Sequence, residues 1–150
     1  MTDLLRIIQA PDARLGRVSE PVTVFDQGLI DLAGAMQRTR SHYRAHGLAA
    51  PQIGRAIRLV SLNPGTTIGY GCMVNPEIIK HGNNKSVSQE GCLSIEHGRK
   101  FFGVKRWDTI TVRFQTLSGE TKEVLARGLG ARAVQHEIDH LDGKLIGGVS

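Results

Sequence analysis

Between residues 109 and 116 the chain alternates Ile110, Val112 and Phe114 with Thr111, Arg113 and Gln115, the period-two pattern of a strand that turns one face to a core. Ser118-Gly119 then turns the chain toward a partner strand at residues 122–126, so a hairpin is expected. Beyond it the period lengthens to that of a helix. Leu129, Ala133, His136 and His140 form one stripe, Val134, Ile138 and Leu141 a second, and Arg132, Gln135 and Asp139 a third. Two stripes of apolar or ligand-type residues predict a helix that is largely buried. Upstream, Asp26 is placed to cap a helix running to about Ala45, with Leu29, Leu32, Ala33, Met36 and Tyr43 on its inner face and Gly47 stopping it. Residues 58–62 and 72–74 read as short strands, followed by turns at Asn63-Pro64-Gly65 and Asn75-Pro76, and His81-Gly82-Asn83-Asn84 reads as another turn. These elements describe a small α+β fold, a single domain over residues 1–150, in which short antiparallel sheets surround a buried C-terminal helix.

Composition narrows the class. A chain of 150 residues with 40% hydrophobic content suits one domain with one core. Residues 1–10 contain Leu4, Leu5, Ile7 and Ile8 but are interrupted by Asp3 and Arg6, which argues against a signal peptide or a membrane span. Two cysteines do not make a disulfide framework, and a cytoplasmic setting is expected. The net charge of +5 is spread along the chain except for Arg99-Lys100 and Lys105-Arg106, and no nucleic-acid motif accompanies it. A basic, solvated surface is the expectation there, and a monomer is expected.

Candidate chemistry concentrates near the end of the chain, in His136-Glu137-Ile138-Asp139-His140. Two histidines four apart share a helical face and can hold one metal ion, while the carboxylate between them is placed as a general base. A hydrolytic site of this kind needs a third protein ligand. Downstream of His140 there is no His, Glu or Cys, and Asp142 is too close to fold back without breaking the helix, so the ligand is sought upstream. Cys72, Cys92, Glu90, Glu96, His81 and His97 are the candidates. Cys92 stands out because it sits in the polar, glycine-containing run Glu90-Gly91-Cys92-Leu93-Ser94, whereas Cys72, in Cys72-Met73-Val74, reads as a small buried hydrophobe.

Three segments carry a resemblance. Glu90-Gly91-Cys92-Leu93-Ser94, the run Gln135-His136-Glu137-Ile138-Asp139-His140-Leu141-Asp142-Gly143, and Gly47-Leu48-Ala49-Ala50-Pro51-Gln52 resemble the three signature motifs of peptide deformylases, in that family's order and approximate spacing. The resemblance implies removal of the formyl group from the starting formyl-methionine of newly made proteins. It implies one divalent metal ion, naturally Fe(II) and replaceable by Zn, Ni or Co, held by Cys92, His136 and His140, with Glu137 as general base and acid. It further implies that the Gln52 side-chain amide and the Leu93 backbone N–H bind the formyl oxygen and that Gly47 approaches the substrate backbone. Leu129 and Ala133, on the helix face of His136, are expected beside the methionine side chain. Formyl-methionyl nascent peptides are the implied partners, with transient contact to the ribosome.

Two departures accompany the resemblance. The family's first motif usually begins with a glycine two places before Gly47, where this chain has Ala45, and an alanine there is strained only if the position needs a positive φ. After Gly143 only seven residues remain, where longer members of the family continue into a further helix. His-Glu-x-x-His alone also permits a metal-dependent peptidase or another amidase, and a metal-stabilised but catalytically silent homologue is a third reading.

Overall fold

The computed structural model describes residues 4–66 and 69–149, so the expectations touching residues 1–3 and Ser150 lie outside the described residues. Its elements are α1 (Gln27–His42), β1 (Gly47–Ala49), β2 (Leu59–Leu62), β3 (Cys72–His81), β4 (Lys85–Gly91), β5 (Phe101–Trp107), β6 (Thr109–Gln115), β7 (Thr121–Arg127) and α2 (Gly128–Leu141). One five-stranded sheet runs in the order β1-β2-β3-β6-β7, and β4 and β5 form a separate two-stranded sheet. All pairings between these strands are antiparallel.

Strand alternation divides the large sheet between the two helices. Ala49, Val60, Leu62, Met73, Ile110, Val112, Phe114 and Ala126 pack with Ala131, Ala133, Val134, Ile138 and Leu141 of α2. Leu48, Leu59 and Val74, on the other face, pack with Leu29, Ala33 and Met36 of α1. Successive side chains of a strand point to opposite faces, so Leu48 meets α1 while Gly47 and Ala49 meet α2. A third, smaller cluster of Cys92, Ile95 and Ile146 joins the β4-β5 hairpin to the end of the chain.

The β6-β7 hairpin and α2 lie where the sequence predicts them. Asp26 caps α1, its carboxylate accepting from the Leu29 N–H at 3.0 Å. The far end of α1 differs from expectation: it stops at His42, Arg44 takes a left-handed φ of 55°, and the Arg40 guanidinium donates to the Ala45 carbonyl at 2.9 Å. Tyr43 therefore leaves the inner face and is exposed, and Gly47 opens β1 instead of stopping the helix. Asn75-Pro76 is not a turn either. Asn75, at φ 50°, forms a bulge inside β3, and its side chain bonds both the Val22 N–H and the Val22 carbonyl, so the strand continues to His81. Strands β4 and β5 carry no clear sequence signal, because most of β4 is exposed and polar and shows no alternation; its partner strand supplies the order.

Candidate active site

One end of the site is held mainly by backbone bonds and the other by an arginine at the end of α2. Beyond β4, the Cys92 carbonyl accepts from Ile95 N–H at 2.9 Å and the Ser94 carbonyl from Ala10 N–H at 2.7 Å, which fixes the Cys92–Ser94 turn against the N-terminal segment. Gln9 Nε2 donates to the Leu93 carbonyl at 2.7 Å and orients that stretch further. On the opposite wall, α2 ends under Arg58, which donates to the Leu141 carbonyl at 3.2 Å and pairs with Asp142 at 2.9 Å. A cation at the C-terminus of a helix stabilises it by satisfying the last carbonyls and the negative end of its dipole.

Between these supports Cys92, His136 and His140 converge, their ligand atoms all within 4.8 Å of one another. His140 Nε2 lies 3.3 Å from Cys92 Sγ and 3.3 Å from His136 Nε2. Ligand atoms around a tetrahedral ion with bonds of about 2.0–2.3 Å stand roughly 3.3–3.6 Å apart, so the donor set and the two separations about His140 fit a divalent metal. His136 Nδ1 is taken by Glu90 Oε1 at 3.0 Å, which leaves Nε2 for the ion. His140 Nδ1 is buried without a hydrogen-bond partner among the described residues. The other upstream candidates do not reach this point: Cys72 lies in β3, and Glu96, His81 and His97 are exposed.

Glu137 is 3% exposed, and its Oε1 has no hydrogen-bond partner among the described residues. Burial lifts its carboxyl to about 7, against the pull of the His136 and Arg106 charges. Gly47 makes room for it, because a Cβ there would stand 2.5 Å from Glu137 Oε2. For His136, burial opposes the charge, but Glu137, Cys92 and Glu90 outweigh it and lift the imidazole to about 10. His140 is pushed well below the ordinary histidine value, by burial first and then by the His136 and Arg106 charges.

Gln52, 2% exposed, accepts from Ala49 N–H at 2.9 Å through Oε1, so its Nε2 turns toward Ser94 Oγ at 3.1 Å and Cys92 Sγ at 3.8 Å. Ala45 is not among the residues with positive φ, so its departure from the family pattern brings no backbone strain. Gly47, Gln52, Leu93, Leu129, Ala133, His136 and Glu137 all line one cleft of about 380 Å³.

Three residues of the site have roles that local sequence does not signal. Glu90, a candidate ligand by sequence, instead receives His136 and two arginines: Arg106 at 2.7 Å and Arg132 at 2.8 Å. Arg106, expected on a solvated basic surface, is 6% exposed and also holds Asp139 at 3.0 Å. Its signal was positional, since Phe102, Val104 and Arg106 share one face of β5 and the first two pack inward. Ser94 carried no signal beyond its place in the motif.

Comparison with known proteins agrees with this geometry. The family model described as polypeptide deformylase matches residues 4–147. A peptide deformylase of Thermotoga petrophila is 38% identical over 143 residues, 95% of this chain and 85% of that protein. One of Acidobacterium capsulatum is 41% identical over 145 residues, 93% of this chain and 82% of that protein. Among solved structures, the peptide deformylase of Thermotoga maritima superposes with a TM-score of 0.90 at 38% identity, covering 96% of this chain and 95% of that one. A class I type b enzyme of Acinetobacter baumannii, bound to Met-Ala-Ser, gives 0.86 at 32% identity and 97% coverage of both chains. With its motifs, its fold and nearly its whole length in register with these proteins, this chain belongs to the peptide deformylase family.

Proposed function

We propose that Cys92, His136 and His140 hold one divalent ion and that Glu137 moves the protons in hydrolysis of the formyl group of formyl-methionyl peptides. The observation that carries the proposal is the convergence of the three ligand atoms beside a buried carboxylate in a chain of this family. When bound, the ion supplies Lewis acidity, lowering the pKa of water toward ~7.

The chain's own groups do the rest. Glu137, with a carboxyl near neutrality, takes a proton from the attacking water and returns it to the leaving amine. Gln52 Nε2 and the Leu93 N–H donate to the formyl oxygen as negative charge builds on it, each lowering the barrier by ~3 kcal/mol. Gly47 leaves the Glu137 carboxylate its place and lets a substrate backbone approach. Leu129 and Ala133 give the substrate side chain an apolar contact. Glu90 is a positioning residue: it holds the ring of His136 through Nδ1.

The whole of residues 1–150 serves as one catalytic domain in this reading. A thiolate beside two imidazoles suits Fe(II), with Zn, Ni or Co able to replace it, and an oxygen-sensitive centre of that kind suits the cytoplasm. No described helix is long and apolar enough to cross a membrane. Contact with the ribosome is expected to be transient and electrostatic, made by a monomer with net charge +5. The test is formate release from formyl-Met-Ala-Ser by protein loaded with Fe(II) or Ni(II) without oxygen. Release that a chelator abolishes and added metal restores is the expected result; no release from folded, fully metallated protein rejects the reading.

A further inference from the structure

Residues 8–10 run behind both groups proposed to bind the formyl oxygen. Ile8 N–H donates to the Gln52 carbonyl at 2.7 Å and Ala10 N–H to the Ser94 carbonyl at 2.7 Å, and between them the Gln9 side chain donates to the Leu93 carbonyl at 2.7 Å. The Gln9 amide has no capacity to spare: Nε2 also reaches the Ile7 carbonyl at 3.4 Å, and Oε1 accepts from His97 N–H at 2.9 Å. Two carbonyls on its nitrogen and one N–H on its oxygen fix which way round the amide sits. His97 lies in a strained stretch, since Glu96 and His97 take left-handed φ of 48° and 55°. Backbone of that kind persists where its surroundings over-determine it, and Gln9 supplies a bond from outside the stretch.

A peptide group is planar, so the Leu93 N–H points opposite to the Cys92 carbonyl, which accepts from Ile95 N–H at 2.9 Å. With Gln9 on the Leu93 carbonyl and Ala10 on that of Ser94, three successive carbonyls of the turn are held. No bond among the described residues uses the Leu93 N–H itself. The turn is thus fixed from behind and leaves one donor free.

We propose that Gln9 is a positioning residue for the hydrolysis, its amide clamping the Leu93 carbonyl to the strained Glu96–His97 stretch so that the Leu93 N–H stays aimed at the formyl oxygen. The inference rests on the deformylase reading above. Releasing the Leu93 carbonyl frees the two dihedrals of Leu93, and the turn that aims its N–H loosens with them. A donor that has drifted still admits substrate but stabilises the developing charge less, so the loss falls on kcat and not on KM.

The test compares wild type with Gln9→Met, which can make neither bond, and Gln9→Lys, which restores a donor for the Leu93 carbonyl but no acceptor for His97. It measures kcat and KM for formyl-Met-Ala-Ser with the Ni(II)-loaded protein, the affinity for Met-Ala-Ser, which has no formyl oxygen, by calorimetry, and the backbone amide signals of the Zn(II)-loaded protein by NMR. Gln9→Met is expected to lower kcat by at least about tenfold, less than the roughly 10²–10³ that removing a donor outright costs. KM and the Met-Ala-Ser affinity are expected to change by less than about threefold, with metal content unchanged and the Leu93 amide signal shifted. Gln9→Lys is expected to turn over faster than Gln9→Met. A smaller fall in kcat, a larger change in KM or affinity, or a Gln9→Lys no faster than Gln9→Met overturns the proposal. Should Gln9→Met not fold, Gln9→Glu, which keeps the acceptor for His97 and removes the donor, is held to the same limits. No turnover by folded, metallated wild type rejects the deformylase reading instead; the Leu93 signal then decides the clamp, upholding it if shifted in the variant and overturning it if unmoved.

Discussion

Glu90 shows how much one residue carries when its partners are all drawn inward. It accepts from His136, Arg106 and Arg132 together, and although burial opposes its charge, the bonds from His136 and Arg106 hold its carboxyl at about 2, below the usual 4.5. A carboxyl depressed in the folded state contributes stability that is present above its unfolded value and lost as pH falls through the folded one. Urea midpoints of the wild type are therefore expected to fall between pH 4.5 and 2 more steeply than those of Glu90→Gln. Equal slopes would remove Glu90 from the account. The same variant is expected to bind metal about 10–100-fold more weakly, measured by competition with a chelator, because His136 loses the partner that orients its ring. Glu137→Gln, which keeps the shape of the carboxylate, is expected to lower kcat by about 10²–10⁴-fold with metal content unchanged. Near-normal turnover would assign the proton transfers elsewhere.

At the scale of elements, the end of α2 matters most, since His140 lies within its last turn. Gly143 follows the helix at φ 75°, and a Cβ there would meet the Gly16 carbonyl oxygen at 2.5 Å. Gly143→Ala is expected to cost about 1–2 kcal/mol from backbone conformation alone, with the clash added to it. Thermal unfolding read by circular dichroism would show the loss, and an unchanged midpoint would mean the loop simply moves aside. β4 and β5 make the complementary point. They bring Glu90 and Arg106 to α2, yet the exposed polar run of β4 has no period of its own.

For the whole molecule, the metal site joins two separate hydrophobic clusters. Cys92 belongs to the small cluster with Ile95 and Ile146, while the two histidines ride on the helix that fills the main core. An ion bound by both stabilises the folded state alone, by about 4 kcal/mol when present at a thousand times its dissociation constant. For a chain of this size, removing it with a chelator is expected to lower the melting temperature by roughly 10 °C. A smaller fall is expected for Cys92→Ala, whose metal-loaded and metal-free forms should melt closer together. Calorimetry with and without metal checks both.

Local patterns were enough to identify the β6-β7 hairpin, the cap of α1 at Asp26, the buried helix α2 and the pairing of His136 with His140, because each depends on residues a few positions apart and on the periods of strand and helix. The motif around Cys92 also marked the third candidate ligand, but on resemblance, since no local period links residue 92 to residue 136. What no local pattern contained was the environment between elements. Tyr43 leaves α1 because Arg40 reaches the Ala45 carbonyl, Asn75 bulges inside a strand because Val22 lies beside it, and Gly47 is needed because Glu137 arrives from a helix ninety residues on. Arg106 reads as surface charge until the hairpin folds over α2 and buries it, with Arg132, against Glu90. Burial and pairing of charge are properties of assembled surfaces, and for that reason they belong to the tertiary structure.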